Sequence, residues 1–320
     1  MKLHVHLYDD SAEDFISDLQ SKISPDILLT HGEDLSHVTD FDILVGAFRE
    51  ESILTHSKKV QTVIIPWAGL PQITAEHLKK HPHIAVHNLH HNSTVTAEMT
   101  FALMLTAMKR IIPIDRDLRK SNWERRYNDE PILSLSGKHA VVLGYGSIGS
   151  QVAQFCKAFH MKVSVVSRTK KNIENSYTMN QLPELLPIAD ALLITLPLTP
   201  ETENLITKDV LAQLPNDCTL VNIARGKVVD EKALFNELKS GRIRAGIDVW
   251  YKYPFSEEEQ KNMPVSDYPF HELDNVVMTP HLAGHSTTIE TLRADALAKL
   301  LNQAVNDEPM DNKIDLSLGY

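Results

Sequence analysis

The sequence predicts an α/β chain of two doubly wound parallel-sheet domains, one inserted into the other. Three observations carry this. Short apolar, β-branched runs alternate with helix-length amphipathic segments along most of the chain. The alternation occurs as two series, separated by a long apolar helical stretch and a polar loop. The second series opens on a glycine-rich turn between a strand and a helix. Strands that alternate with helices give parallel sheets, because each crossover needs a helix to return the chain.

In the first series, residues 3–8, 27–30, 41–47, 62–66 and 84–86 read as strands, with helices over 12–22 and 73–80. A long helical stretch follows over 95–122, which Pro113 is expected to bend or restart. A polar patch over 122–136 ends at Gly137 and Lys138. The second series places strands at 140–143, 163–166, 191–195, 219–223, 245–249 and 276–279, a six-strand doubly wound pattern. The last helix, 287–306, is expected to return to the first domain. Residues 1–95 and 287–320 would then form one domain, and 96–286 a dinucleotide-binding domain.

Composition narrows the function. With 320 residues, 42% hydrophobic and 23% charged, the chain is globular. A net charge of −10 disfavours nucleic acid as a partner, since phosphate binding needs excess Lys and Arg. The opening residues lack the apolar core of a secretory signal, and the apolar stretch 101–108 is too short for a bilayer, so no membrane is expected. Cys156 and Cys218 lie in apolar segments and read as buried free thiols, which suits the cytoplasm.

The segment AVVLGYGSIGSQVAQF spaces Gly144, Gly146 and Gly149 as G-x-G-x-x-G, with Ser147 and Ile148 opening the helix. The first glycine permits a tight turn. The second lets the backbone approach a pyrophosphate, which the helix N-terminus attracts. The third lets helix and strand pack closely. With a strand before and a helix after, the pattern predicts a Rossmann dinucleotide site. An NAD-selective site usually ends its next strand on Asp or Glu. Here the strand VSVVSRTKK ends on Ser167, Arg168 and Thr169. A hydroxyl and a guanidinium suit a 2′-phosphate, so NADP is expected ahead of NAD. A solvated basic turn is the alternative.

Four stretches, the glycine segment among them, form a wider pattern: LSGKHAVVLGYGSIGSQVAQ, ITLPLTPETENLI, LVNIARGKVVDEKALFNELKSGRIRAGIDVW and NVVMTPHLAGHS. In this order and spacing the chain resembles the D-isomer-specific 2-hydroxyacid dehydrogenases. TVIIPWAGL and STVTAEMTFALML match more loosely. The resemblance implies a split, flavodoxin-like substrate domain around a Rossmann cofactor domain. It implies a hydride exchanged between NAD(P)H and a small 2-keto or 2-hydroxy acid, of glyoxylate or hydroxypyruvate type, in a homodimer. The helix at 95–110, apolar on more than one face, points to a dimer as well.

That chemistry needs a cation to hold the carboxylate and polarise the carbonyl, and an acid to protonate the new alkoxide. The resemblance assigns the first role to Arg225, in NIARG, and the second to His281, in TPHLAG. A family glutamate that supports the imidazole is replaced here by Tyr253, in Asp248-Val249-Trp250-Tyr251-Lys252-Tyr253-Pro254. A neutral phenol cannot raise an imidazole pKa as a carboxylate does. A substitute acid would come from Glu257, Glu258, Glu259, Asp267 or Glu272, with Glu272 the first choice. The resemblance sets Asp248 against the nicotinamide carboxamide. It gives the loop Trp67, Ala68, Gly69 and Leu70 to the substrate, although Trp67 fits a core position equally well. Thr96, Leu196, Pro197, Thr199, Ile223, Ala224 and Gly284 fall beside the cofactor on the same basis.

The sequence leaves room for two other readings. A cofactor-sensing relative with weak catalysis would fit the loss of the glutamate at Tyr253. The run His81, His83, His87, His90, His91 invites a metal, yet no Cys or carboxylate set completes a ligand cluster, and no metal is expected.

Overall fold

A computed structural model describes residues 2–9, 11–128 and 132–320. Residues 129–131, within the predicted polar patch, lie outside the described residues. The chain divides into two compact units, Met1–Asn92 with His285–Tyr320, and Ser93–Gly284.

The first unit holds a parallel sheet of β1 (Leu3–Leu7), β2 (Ile27–His31), β3 (Ile43–Val45), β4 (Thr62–Ile65) and β5 (Ala85–Asn88). Its order, β2-β1-β3-β4-β5, is the flavodoxin-like order. Both faces are covered, and β3 and β4 are accordingly nearly continuous runs of Ile, Leu and Val, while β1 and β5 carry histidines among their apolar residues. On one face the helix Glu13–Lys22 lays Phe15, Ile16 and Leu19 against Val5 and Leu7, and the helix Ile289–Val305 adds Leu297, Leu300 and Leu301. Phe41, Leu44, Val63, Ile65 and Leu78 fill the other face. The Asn302 side chain accepts from the Ser24 N–H at 2.8 Å and donates to the Lys22 carbonyl at 3.0 Å, joining the two helices. The strand expected at 84–86 is shifted, so His87 lies inside β5 with Nδ1 2.7 Å from the Asp311 carbonyl oxygen. His81 pairs instead with Glu51, at 3.1 Å.

The second unit holds seven parallel strands: β6 (His139–Leu143), β7 (Lys162–Ser167), β8 (Ser176–Thr178), β9 (Ala191–Ile194), β10 (Thr219–Asn222), β11 (Arg244–Ile247) and β12 (Val276–Met278). Six were expected. The missed strand, β8, has three residues and polar ends, too little for a hydrophobic period to register. The order β12-β11-β10-β9-β6-β7-β8 is doubly wound, and it reverses between β6 and β9. Ligands of such sheets bind outside the carboxyl ends of the strands, near that reversal.

The long apolar stretch is two helices, Ser93–Lys109 and Ile111–Leu118. The break falls at Arg110, in a left-handed conformation at φ 53°, and not at Pro113. Pro113 is the third residue of the second helix, where its missing N–H has no helical partner to lose. The first helix is apolar on several faces because its own unit covers them. Ala97, Leu103, Met104 and Met108 join the core formed with Val142, Val152 and Val221. Gly246 of β11 lets it approach closely, since a Cβ there would lie 2.8 Å from the Leu103 Cβ. The apolar character of the helix is thus largely accounted for within its own unit.

Candidate active site

Four groups of the site lie just past the carboxyl ends of strands in the second unit. Gly144 follows β6, Arg225 follows β10, Asp248 follows β11 and His281 follows β12.

The three glycines have three different reasons. Gly144 has φ +97°, and a Cβ on it would meet the Thr195 carbonyl oxygen at 2.7 Å. A Cβ on Gly149 would lie 2.1 Å from the Gly144 carbonyl oxygen. Around Gly146 no atom of the described residues comes within 4 Å of such a position. The first and third are fixed by packing, and the second leaves an open cradle. Gly146 is also the N-cap of the 12-residue helix Ser147–Ala158, and no described side chain bonds that cap. An uncapped helix N-terminus beside an open cradle fits a pyrophosphate. Ser147 is exposed and Ile148 half-buried at this mouth. Thr195, which the sequence reading passed over, ties the turn together: its hydroxyl reaches the Leu143 and Gly144 carbonyls at 3.0 and 3.1 Å.

At the end of β7, Ser167 is buried and its hydroxyl donates to the Thr169 carbonyl at 2.8 Å. Arg168 and Thr169 are exposed beyond it. The Arg168 charge lowers the Glu201 carboxyl pKa, after the larger effect of the Thr199 hydroxyl. After β9, Leu196 is half-buried, Pro197 exposed and Thr199 buried, with the Thr199 N–H bonded to the Thr202 hydroxyl at 2.8 Å. Ile223 and Ala224 are buried under the β10 turn. Thr96 is buried in the helix Ser93–Lys109, whose start is joined to the cradle helix by Gln151 Nε2 donating to the Ser93 hydroxyl at 3.1 Å.

The structure brings Arg225, Tyr253 and His281 together. The Tyr253 and His281 rings stand 5.5 Å apart, tilted by 58°. Tyr253 Oη accepts the Trp250 N–H at 3.0 Å. Burial raises the Tyr253 pKa above the ordinary phenol value, against opposing effects of that N–H and of the Arg225 charge. The phenol is therefore neutral at neutral pH. Arg225 keeps an exposed surface, yet burial lowers its pKa, with Tyr253 opposing. A guanidinium remains charged through any such change near neutrality. Gly226 makes the grouping possible, since a Cβ there would meet the Trp250 carbonyl oxygen at 2.4 Å. The arginine-glycine pair after a strand was the available signal for it.

Of the suggested substitute acids, Asp267 bonds Lys252, Glu259 accepts the Phe255 N–H at 2.7 Å, and Glu272 lies exposed in the turn Phe270–Glu272. Tyr253 holds the place against the imidazole.

Asp248 is fully buried, at 0% exposure. Its Oδ1 accepts from the Thr279 hydroxyl at 2.6 Å and the Leu282 N–H at 2.9 Å, and its Oδ2 from the Ala283 N–H at 2.9 Å. Its carbonyl accepts the His281 N–H at 2.8 Å. Thr279 and Trp250, whose Nε1 donates to the Thr279 carbonyl at 2.9 Å, were not singled out from sequence. Gly284 closes this turn, half-buried.

In the first unit, the Trp67–Leu70 loop follows the carboxyl end of β4. Trp67 is 40% exposed, which overturns the core alternative for it. The loop is anchored through the Ala68 carbonyl, which accepts from the buried Asn88 Nδ2 at 2.7 Å. Gly69 is half-buried, and Leu70 packs on the core of its sheet.

A doubly wound unit with an open phosphate cradle, and Arg, His and a phenol grouped at the same sheet edge, defines a nicotinamide-dependent oxidoreductase. Comparison with known proteins gives the particular family. The NAD-binding domain model of the D-isomer specific 2-hydroxyacid dehydrogenases matches residues 101–283. A glyoxylate reductase of Pyrococcus horikoshii is 31% identical over 279 residues, covering 83% of this chain and 80% of that protein. A D-3-phosphoglycerate dehydrogenase of Methanocaldococcus jannaschii is 30% identical over 296 residues, and the chain spans only 54% of its length. The fold matches, at TM-score 0.80, 24% identity and 100% coverage of both chains, a D-isomer specific 2-hydroxyacid dehydrogenase from Xanthobacter autotrophicus solved with NADPH and MES. The chain belongs to the D-isomer specific 2-hydroxyacid dehydrogenases, enzymes that exchange a hydride between NAD(P)H and a 2-hydroxy or 2-keto acid. Among the described residues, no helix is long and apolar enough to cross a membrane.

Proposed function

We propose that this chain reduces a small 2-keto acid to the 2-hydroxy acid, with NADPH in preference to NADH. The observation that carries the reading is the grouping of Arg225, Tyr253 and His281, with the two rings 5.5 Å apart at the sheet edge. When bound, the reduced nicotinamide supplies the hydride to the carbonyl carbon. Arg225 binds the substrate carboxylate and draws electron density toward the keto oxygen. His281 gives its proton to that oxygen as the carbonyl becomes an alcohol. Tyr253, a neutral phenol, packs on the imidazole and does not act as a counter-ion. Trp67, Ala68, Gly69 and Leu70 recognise the substrate, which the exposure of Trp67 supports. Gly144, Gly146, Ser147, Ile148 and Gly149 receive the pyrophosphate. Arg168 meets a 2′-phosphate beside Ser167 and Thr169, and the absence of an acid at the end of β7 supports NADPH. The likeness to glyoxylate reductases supports an acid of that size.

The test is a panel of 2-keto acids assayed by NADPH and NADH oxidation. Turnover of a small acid, faster with NADPH, is the expected result. Tight NADPH binding with no turnover across the panel would favour the cofactor-sensing alternative.

The same reading makes the protein a cytoplasmic homodimer. Ile111, Ile112, Leu118, Trp123 and Tyr127 are exposed on and after one short helix, an apolar patch that supports pairing. A monomeric mass by light scattering at micromolar concentration would overturn the dimer. Two buried, unpaired thiols, with Cys156 pushed up to about 12 by burial, support a reducing compartment.

A further inference from the structure

We infer that Asp248 is a positioning residue for the proton donor: its buried carboxylate holds the 279–283 turn in the one conformation that sets the His281 imidazole against Tyr253. This rests on the assignment of His281 as proton donor. It goes beyond the nicotinamide contact that the sequence resemblance gives to Asp248.

His281 is a non-glycine residue at φ +58°. Left-handed backbone is uncommon for such residues and persists where the surroundings over-determine it. Here a single residue supplies most of that determination. The His281 N–H is bonded to the Asp248 carbonyl at 2.8 Å. The next two N–H groups, of Leu282 and Ala283, are bonded to the two Asp248 carboxylate oxygens, both at 2.9 Å. The Thr279 hydroxyl adds a third carboxylate bond at 2.6 Å. The residues on either side of His281 are thus tied to the end of β11, and the imidazole projects from between the ties.

The chemistry requires a carboxylate at this position. A buried anion is tolerated only where hydrogen-bond donors replace its hydration, and all three donors here come from one turn. Charge and turn hold each other in place. An ionised carboxylate offers about four acceptor sites and no donor. An amide would turn one donor toward another, at either the Ala283 N–H or the Leu282 and Thr279 pair. If the turn relaxes toward ordinary negative φ, the His281 side chain swings away from Tyr253 while the cradle at Gly144–Gly149 stays as it is.

The experiment is a double-mutant cycle on the full chain, with NADPH affinity measured separately by fluorescence titration. His281→Asn should lower kcat/KM by about 1000-fold. Asp248→Asn should lower it by about 100-fold, the effect of a misplaced catalytic group. NADPH affinity should fall by a far smaller factor than kcat/KM. The double variant should be no slower than His281→Asn alone, because the carboxylate acts through the imidazole. A solvent hydrogen isotope effect should also grow in Asp248→Asn, since proton transfer is the step disturbed. Thr279→Val, which removes one donor and leaves the carboxylate, should show a smaller loss that also disappears in the His281→Asn background. It serves as the test if Asp248→Asn does not fold. Losses that multiply in the double variant, together with NADPH binding weakened by as large a factor as kcat/KM, would overturn the inference in favour of a direct cofactor contact. Full activity of His281→Asn is a distinct result, which would remove the proton-donor assignment itself.

Discussion

Two turns of the same unit, after β6 and after β12, both pass through left-handed backbone, and they reach it by opposite means. At Gly144, φ is +97° and the side chain is absent. At His281, φ is +58° and the side chain is a full imidazole. The first turn only has to present N–H groups, so any residue without a Cβ will serve, and glycine adopts the conformation at little cost. The second turn has to present one particular ring, so its strain is held by neighbours: Asp248, Thr279 and Trp250. Where chemistry leaves the residue free, conformation chooses it. Where chemistry dictates the residue, the surroundings must supply the conformation.

The largest expected effect breaks the two turns apart functionally. His281→Asn should reduce kcat/KM by about 10³-fold or more, with NADPH affinity retained in a titration. A comparable loss of NADPH affinity would show that the turns do not have separate tasks. Next comes Arg168→Asp, which should weaken NADPH by roughly 2–3 kcal/mol and NADH far less. Equal weakening of both cofactors, by the same titration, would leave no case for phosphate recognition at the end of β7.

Within the cradle, the two outer glycines and the middle one should part company. Gly149→Ala places a Cβ 2.1 Å from a carbonyl oxygen and should destabilise the protein by about 1–3 kcal/mol, read as a fall in Tm. Gly146→Ala meets no described atom within 4 Å and should leave Tm unchanged while weakening NADPH. Matching changes in Tm for the two variants would contradict the open cradle.

Tyr253→Glu sharpens the other turn. A carboxylate beside the imidazole favours its charged form and raises its pKa. Reduction needs the protonated imidazole, so the decline in kcat/KM should move to higher pH. An inflection that does not move would mean that residue 253 does not tune His281.

The smallest effect concerns stability away from the site. Burial lowers the pKa values of His6, His87, His90 and His91, the last to about 4, and all four belong to the first unit. The unfolded chain takes up protons on these residues near the ordinary value of about 6.5, before the folded unit does. Their contribution to stability is present above that pH and is lost as pH falls toward the depressed values. Protection factors, which remove the intrinsic pH dependence of amide exchange, should therefore fall in the first unit on going from pH 7.5 to 5, ahead of the second.

Most strands of both sheets were legible because buried parallel strands are short runs rich in apolar residues, and the cradle because three glycines leave a fixed spacing. β8 was not, being three residues with polar ends. The helix break was misplaced at Pro113, since Arg is a good helix former and nothing local marks Arg110. Tyr253 was visible as a departure from a pattern. The bonds that Asp248 makes were not, because two of its partners are backbone N–H groups about 35 residues away, and a backbone group carries no sequence signature.

The way the first unit is assembled from both chain segments bears on how the protein is made. Its sheet is complete by Asn88, but the helix that covers Val5, Leu7 and Leu19 is Ile289–Val305. During synthesis at about 5–20 residues per second, that apolar face waits about 10–40 s for its cover, while the second unit is being made. The nascent chain therefore carries a half-covered hydrophobic sheet while the second unit is made. Chaperone demand should fall on the first sheet, although its unit is finished only after the second.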